Sequence, residues 1–331
     1  MAHVGRRPTA ADVARLSGVS RATVSYVLNN KAGQSISGST SDRVRWAAGE
    51  LGYVPSAAAA ALRRGHSQIV LLVIDRELHG YVSELFISGA IRTLSAKGYV
   101  VLTHEVESEE SLLAAARAIQ PLGAVSLALM MPSTKRRLGE AGVHHVVAFE
   151  GDPQSPLERP WEEAIGRLQA EYLLGAGYTR LFYALPESSP RAPVALARLA
   201  GVQAACAERG AAAPVMLSLS ADRREIARKL QGMGAEPEGR ALCCFDDQLA
   251  FAVLAALSDL GWKAPEDFAV VGADDNPVAA LTTPALTTVQ IRGNELGEGA
   301  AELFLNLVDG LDPSPIDWQH LPLAVIARDS A

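Results

Sequence analysis

A chain of 331 residues implies two or three domains at about 150 residues each, and no apolar run approaches the roughly 18–20 residues of a membrane span. The net charge of −7 is uneven: residues 1–65 hold nine Lys/Arg against three acids, which is +6 and leaves −13 on the rest. A basic head on an acidic body points to a polyanion partner for the head alone. The three cysteines follow no disulfide or zinc spacing and read as reduced buried thiols, and the polar N-terminus has no apolar signal segment, so a cytoplasmic protein is expected.

Three short helices are predicted over residues 9–53. The first covers 10–16, with Val13 and Leu16 inward and Thr9 and Asp12 as its N-terminal cap. A turn follows at Ser17-Gly18-Val19-Ser20, where Gly18 suits a left-handed conformation and Ser20 an N-cap. The second helix, 21–29, turns Val24, Val27 and Leu28 inward, and a third near 40–51 turns in Val44, Ala48 and Leu51. Pro55 breaks the chain. The Ala-rich run to Leu62 is helix-forming but too short to stand alone in water, and Arg63–His66 reads as a linker.

From residue 69 short β-branched or apolar runs alternate with helical stretches. The runs are Ile69–Ile74, Tyr99–Thr103, Ala124–Met130, His145–Phe149, Arg180–Leu185, Val215–Leu219, Ala241–Phe245 and Phe268–Gly272. Such alternation predicts parallel sheets covered on both faces, and the number of units suits two sheets, with Asp152–Pro160 as the crossing. Ligands of such folds bind at the carboxyl ends of strands.

The run Ala11–Asn29 reads as helix, turn and helix. It strongly resembles the LacI/GalR family of bacterial regulators, as does Leu51-Gly52-Tyr53-Val54-Pro55 with the Ala-rich stretch after it. Phe245–Ala250, Pro265–Asp275 and Leu281–Val289 agree. The resemblance covers the whole chain in order. It implies an N-terminal all-α helix-turn-helix head (1–54), a hinge helix and linker (55–66) and a two-lobed α/β domain like periplasmic binding proteins, with parallel sheets (67–331). One lobe takes about 67–155 and 292–320. The other takes about 160–288 and the C-terminal strand.

In a helix-turn-helix the start of the second helix reaches base edges in the major groove. Here that places Arg21 and Ala22, with Tyr26 a turn later: Arg for a guanine, Ala for a thymine methyl. Many family members carry Arg where this chain has Tyr26, so the operator is not expected to follow a relative's. Thr9, Thr23, Ser25 and Asn29 suit phosphate oxygens. The resemblance implies that the hinge helix, including Ala59, pairs with its dimer mate and inserts Leu62 into the minor groove.

For the sensing domain the resemblance implies a ligand between the lobes. Arg198 matches the family's ligand-binding arginine, and Asp247 and Asp274 follow successive strands of the second lobe. Three positions depart from the family pattern. Asp75–Tyr81 replaces an Asn-Pro-Phe/Tyr loop, Trp161-Glu162 replaces an Asp-Asn pair, and Ile291 stands where a Gln is frequent. Trp161 is a candidate stacking surface.

The expected function is a sequence-specific repressor, a homodimer on a near-palindromic operator in double-stranded DNA, modulated by a small-molecule effector. The alternatives are a regulator with a degenerate, ligand-independent sensor domain, and a solute-binding protein. No catalytic signature is found, and no cofactor, metal or membrane partner is expected. Leu62→Ala is expected to weaken specific operator binding far more than non-specific binding, read by titration at fixed salt. Equal loss on both removes the wedge role.

Overall fold

The computed structural model describes residues 8–28, 36–54, 67–75, 80–150, 160–187, 191–220, 222–233, 239–311 and 323–331. They fall into two units, Met1–Gln68 and Ile69–Ala331.

In the first unit, α1 (Ala10–Ser17), α2 (Arg21–Leu28) and α3 (Gly38–Glu50) pack around Val13, Ala14, Val24, Val27, Val44, Ala47 and Ala48. Local chemistry sets the ends of these helices. Thr9 and Asp12 form a reciprocal capping box, the Thr9 N–H donating to Asp12 Oδ2 at 2.9 Å. Gly18 closes α1 with φ 70°, a conformation that costs a residue without Cβ nothing. The Ser20 hydroxyl accepts from the Thr23 N–H at 3.1 Å and so caps α2. These devices fix the angle at which α2 leaves the turn. Leu16, expected inward, is 42% exposed, because the buried stripe of α1 is Val13, Ala14 and Ser17.

The second unit holds two sheets. The first has the order β2-β1-β3-β4, all parallel. Its elements are β1 (Ile69–Asp75), α4 (Tyr81–Ala96), β2 (Val100–Val106), α5 (Glu109–Ile119), β3 (Gly123–Met130), α6 (Pro132–Glu140) and β4 (His145–Glu150). The chain then builds α7 (Pro160–Gly175), β5 (Arg180–Pro186), α8 (Ala192–Glu208), β6 (Val215–Leu219), α9 (Arg223–Gln231), β7 (Arg240–Cys244), α10 (Asp247–Asp259), β8 (Ala269–Asp274) and β9 (Thr287–Gln290). It returns through α11 (Gly293–Val308), which packs on α4 and the first sheet, to β10 (Ala324–Ile326) at the edge of the second. The second sheet has the order β10-β9-β8-β7-β5-β6. Every residue of β7 is buried, as a strand covered on both faces requires. Cys206, Cys243 and Cys244 are buried free thiols within this lobe.

Four elements differ from the sequence expectation, one of them β9, whose short run Thr287–Gln290 was not among the predicted strands. Helix α6 was unexpected because its polar sequence buries only Leu138 and so lacks apolar periodicity. Strand β2 runs on past the predicted Thr103 through His104 and Glu105 to Val106, since it is the outer strand of its sheet and one face meets solvent. The second sheet is not wholly parallel: β10 joins β9 antiparallel.

Helices α7 and α8 meet backbone to backbone. A Cβ on Gly166 would overlap the Arg198 carbonyl oxygen, and one on Gly201 would overlap that of Glu163. The bare glycines allow this approach, and it brings the first turn of α7 against Arg198. Gly201→Ala is therefore expected to cost about 1–3 kcal/mol in urea unfolding by forcing the helices apart. Gly175→Ala, with nothing within 4 Å of its Cβ, is the near-neutral control. Equal effects would show that the contact does not constrain the pair.

Candidate functional site

The first candidate surface is the start of α2. Arg21 and Ala22 are exposed, and Thr23, Ser25 and Tyr26 are half-buried on the helix whose other face carries Val24 and Val27 into the core. Thr9 is exposed and its hydroxyl donates to Asp12 at 2.7 Å, while the Thr23 hydroxyl shares a 2.9 Å contact with Ser20. Both threonines thus serve helix caps. Asn29, Ala59 and Leu62 lie outside the described residues.

The second candidate is a cavity between the two lobes, at the carboxyl ends of the strands and the first turns of α4, α7, α8 and α10. Its volume is about 120 Å³. That suits a compact molecule, against the roughly 300–1,000 Å³ of drug-sized ligand pockets. Of the expected ligand residues, Trp161, Arg198 and Asp274 line it together, with Ile291 opposite.

Arg198 is already engaged. Its Nε donates to Glu162 at 2.7 Å, its Nη1 donates to the Phe245 carbonyl, and its guanidinium lies 4.8 Å from the Phe245 ring centre. The pair is buried, with side-chain exposures of 7% for Arg198 and 13% for Glu162. A buried guanidinium needs such a partner, since either charge alone would be costly. The Arg191 guanidinium also lies over the Phe245 ring, 5.0 Å from its centre, and donates to Asp246 at 3.1 Å. Asp246 also caps α10, accepting from the Leu249 N–H at 2.8 Å.

Asp274 ends β8 with φ 123°. Burial pushes its carboxyl well above the usual range, opposed by the charge of Arg198.

Asp247, expected beside it, is placed behind the cavity wall and not in it. It is wholly buried, accepting from the Asn276 N–H at 2.7 Å and the Thr288 hydroxyl at 2.6 Å. It holds the loop after β8 against β9. Asp275 extends this clamp by accepting from Gln290 at 2.8 Å and Arg328 at 2.6 Å. On α7, the buried Gln169 amide donates at 2.8 Å to the carbonyls of both Cys244 and Gly272, tying β7 to β8.

Two family models match the chain. Bacterial regulatory proteins of the lacI family match residues 9–56, and the periplasmic binding protein-like domain matches residues 170–331. The HTH-type transcriptional regulator reg1 of Streptomyces lividans is 30% identical, over 97% of this chain and 96% of its own length. The chain belongs to the lacI family of bacterial regulators. The ribose operon repressor of Escherichia coli K12 is 28% identical over 91% of this chain and 93% of its own length. A solved lac repressor dimer, bound to operator and the anti-inducer ONPF, shares the fold with a TM-score of 0.75 at 20% identity, covering 98% of this chain and 99% of that one. These relatives are transcriptional regulators, not enzymes, and the family's role is DNA-binding regulation. Among the described residues no helix is long and apolar enough to cross a membrane.

In this lacI-family chain the sequence reading missed Arg191, Phe245 and Asp246 as cavity residues. Arg191 lies in a Pro-flanked stretch without periodic signal. Phe245 and Asp246 stood in a recognised motif, but their facing depends on where α10 begins.

The Asp247 carboxyl is pushed up to about 7 by burial, with Asp246 and Asp275 adding to the rise and the Thr288 and Asn276 hydrogen bonds opposing it. Unfolded, it titrates near 3.9. Between these values the folded chain holds a proton that the unfolded chain has lost, so stability falls as pH rises through the window. Asp247→Asn keeps both contacts, its amide accepting from Asn276 and donating to Thr288, but cannot titrate. The decline in melting temperature from about pH 4 to about pH 7 is expected to be shallower in this variant. An unchanged slope would place the linkage elsewhere.

Proposed function

We propose that this chain is a sequence-specific transcriptional repressor, acting as a cytoplasmic homodimer on a near-palindromic operator, with DNA affinity set by a small molecule in the cavity between its lobes. The observation that carries this reading is the built cavity itself. Asp274, Trp161 and the Arg198–Glu162 pair converge at strand ends, in a chain whose other unit exposes Arg21 and Ala22 at the start of the second helix. The lac repressor relative is itself a dimer on operator DNA with a small molecule bound. An effector changes operator affinity only as far as it binds one lobe arrangement better than the other.

A ligand-independent sensor domain is the second reading, and the engagement of Arg198 by Glu162 favours it. The strained, cavity-facing Asp274 weighs against it, because such backbone is kept where the surrounding structure uses it.

In the proposed role, Arg21 reads a base edge, Ala22 and Tyr26 lie along the groove, and Thr9, Thr23, Ser25 and Asn29 meet phosphates. Leu62 and Ala59 act at the hinge. Mapping bound DNA across the genome should give discrete sites, and ligand screening at the strongest should find one that shifts affinity. At that site Arg21→Ala should cost about 1–3 kcal/mol in fluorescence anisotropy and relax one base position. A uniform, salt-sensitive distribution without discrete sites would overturn the reading.

A further inference from the structure

The cavity between the lobes has an uneven charge. Its described walls present three carboxylates, Glu162, Asp246 and Asp274, against two guanidiniums, Arg191 and Arg198. Two acids are matched one to one, Glu162 by Arg198 at 2.7 Å and Asp246 by Arg191 at 3.1 Å. The Asp274 side chain makes no hydrogen bond or ion pair among the described residues, and Arg198 acts on it only through space.

This arrangement disfavours an anionic ligand. Helix N-termini converge on the cavity and would ordinarily favour negative charge. Here the protein supplies that charge itself, with Asp246 as the cap of α10 and Glu162 in the first turn of α7. Both guanidiniums that a carboxylate or phosphate would need are already paired. A polyol meets few partners beyond the Asp274 carboxyl. Each hydroxyl brought into a buried site needs a partner. Much of the remaining wall is Val82, Leu127, Trp161, Ile165 and Ile291, which offer hydrocarbon and a ring face.

We propose that the cavity takes a compact organic cation, with a protonated amine set against the Asp274 carboxylate and an apolar body against Trp161 and Ile291. This rests on the cavity being the ligand site and names the class of ligand it takes. An ammonium supplies three donors and the missing counter-charge. Burial holds the Asp274 carboxyl high against the opposing charge of Arg198, and a bound cation would favour its ionised form.

Three probes with one ring separate the possibilities. Cyclohexylamine, cyclohexanol and cyclohexanecarboxylate are titrated calorimetrically into the full chain and into Asp274→Asn, a substitution that tolerates positive φ. Operator affinity is read by anisotropy in the same samples. The amine is expected to bind about tenfold or more tighter than the alcohol, with no saturable binding of the carboxylate, and Asp274→Asn to remove the preference. The folded state of the variant is checked by its thermal melt. Equal or tighter binding of the alcohol or the carboxylate overturns the cation and leaves the ligand cavity standing. An amine preference that survives Asp274→Asn also overturns it. Selective amine binding without change in operator affinity supports the ligand class and overturns the effector role. Saturable binding by none of the three overturns the cavity reading and the cation together.

Discussion

Charge buried at the end of a parallel sheet has to be answered by charge or by hydrogen bonds, and this requirement organises the second lobe. Arg198 lies in α8, deep enough that its guanidinium has little water, and Glu162 reaches it from the first turn of α7. The partners meet because Gly166 and Gly201 let the two helix backbones touch. The same crossing sets Gln169 against the strand ends, where its amide donates to the carbonyls of Cys244 and Gly272. Packing of small residues comes first, and the electrostatics of the cavity follow from it.

The loop after β8 obeys the same requirement by other means. Among the described residues Asp247 has no cation beside it, so hydrogen bonds from Thr288 and Asn276 hold it, and its proton affinity rises because they only partly offset its burial. Asp275, one residue after the cavity acid, has Arg328 for a partner. Adjacent carboxylates on one short loop therefore have different chemistry. Asp275 fastens the loop to the C-terminal segment and Asp274 meets the cavity.

The head was legible because its signals are local. Thr9 with Asp12, Gly18 and Ser20 each act within four residues, and a capping box or a left-handed glycine means the same thing in any fold. The βα alternation was legible for a similar reason. Helix α6 was hidden because its stability owes little to an apolar stripe. The cavity was only partly legible. Arg198, Asp274 and Trp161 could be placed there through resemblance, but a helix that starts one residue earlier or later turns each side chain by about 100°. With Asp246 as the cap, Asp247 is carried inward. The pairing of Glu162 with Arg198 crosses two helices, and no pattern along the chain records it.

The Gln169 clamp separates two properties that a single residue often has to combine. It holds the ends of β7 and β8 through main-chain oxygens, so it places no demand on the side chains those strands present. Of the residues that face the cavity, Trp161 and Asp274 lie outside the clamp's contacts, whereas Glu162 is tied to Arg198 and Ile291 to the core behind it. The lobe is in this sense a socket with replaceable pins. A lineage can acquire a new chemical vocabulary at the cavity in single steps, while the scaffold that aims those residues is inherited unchanged.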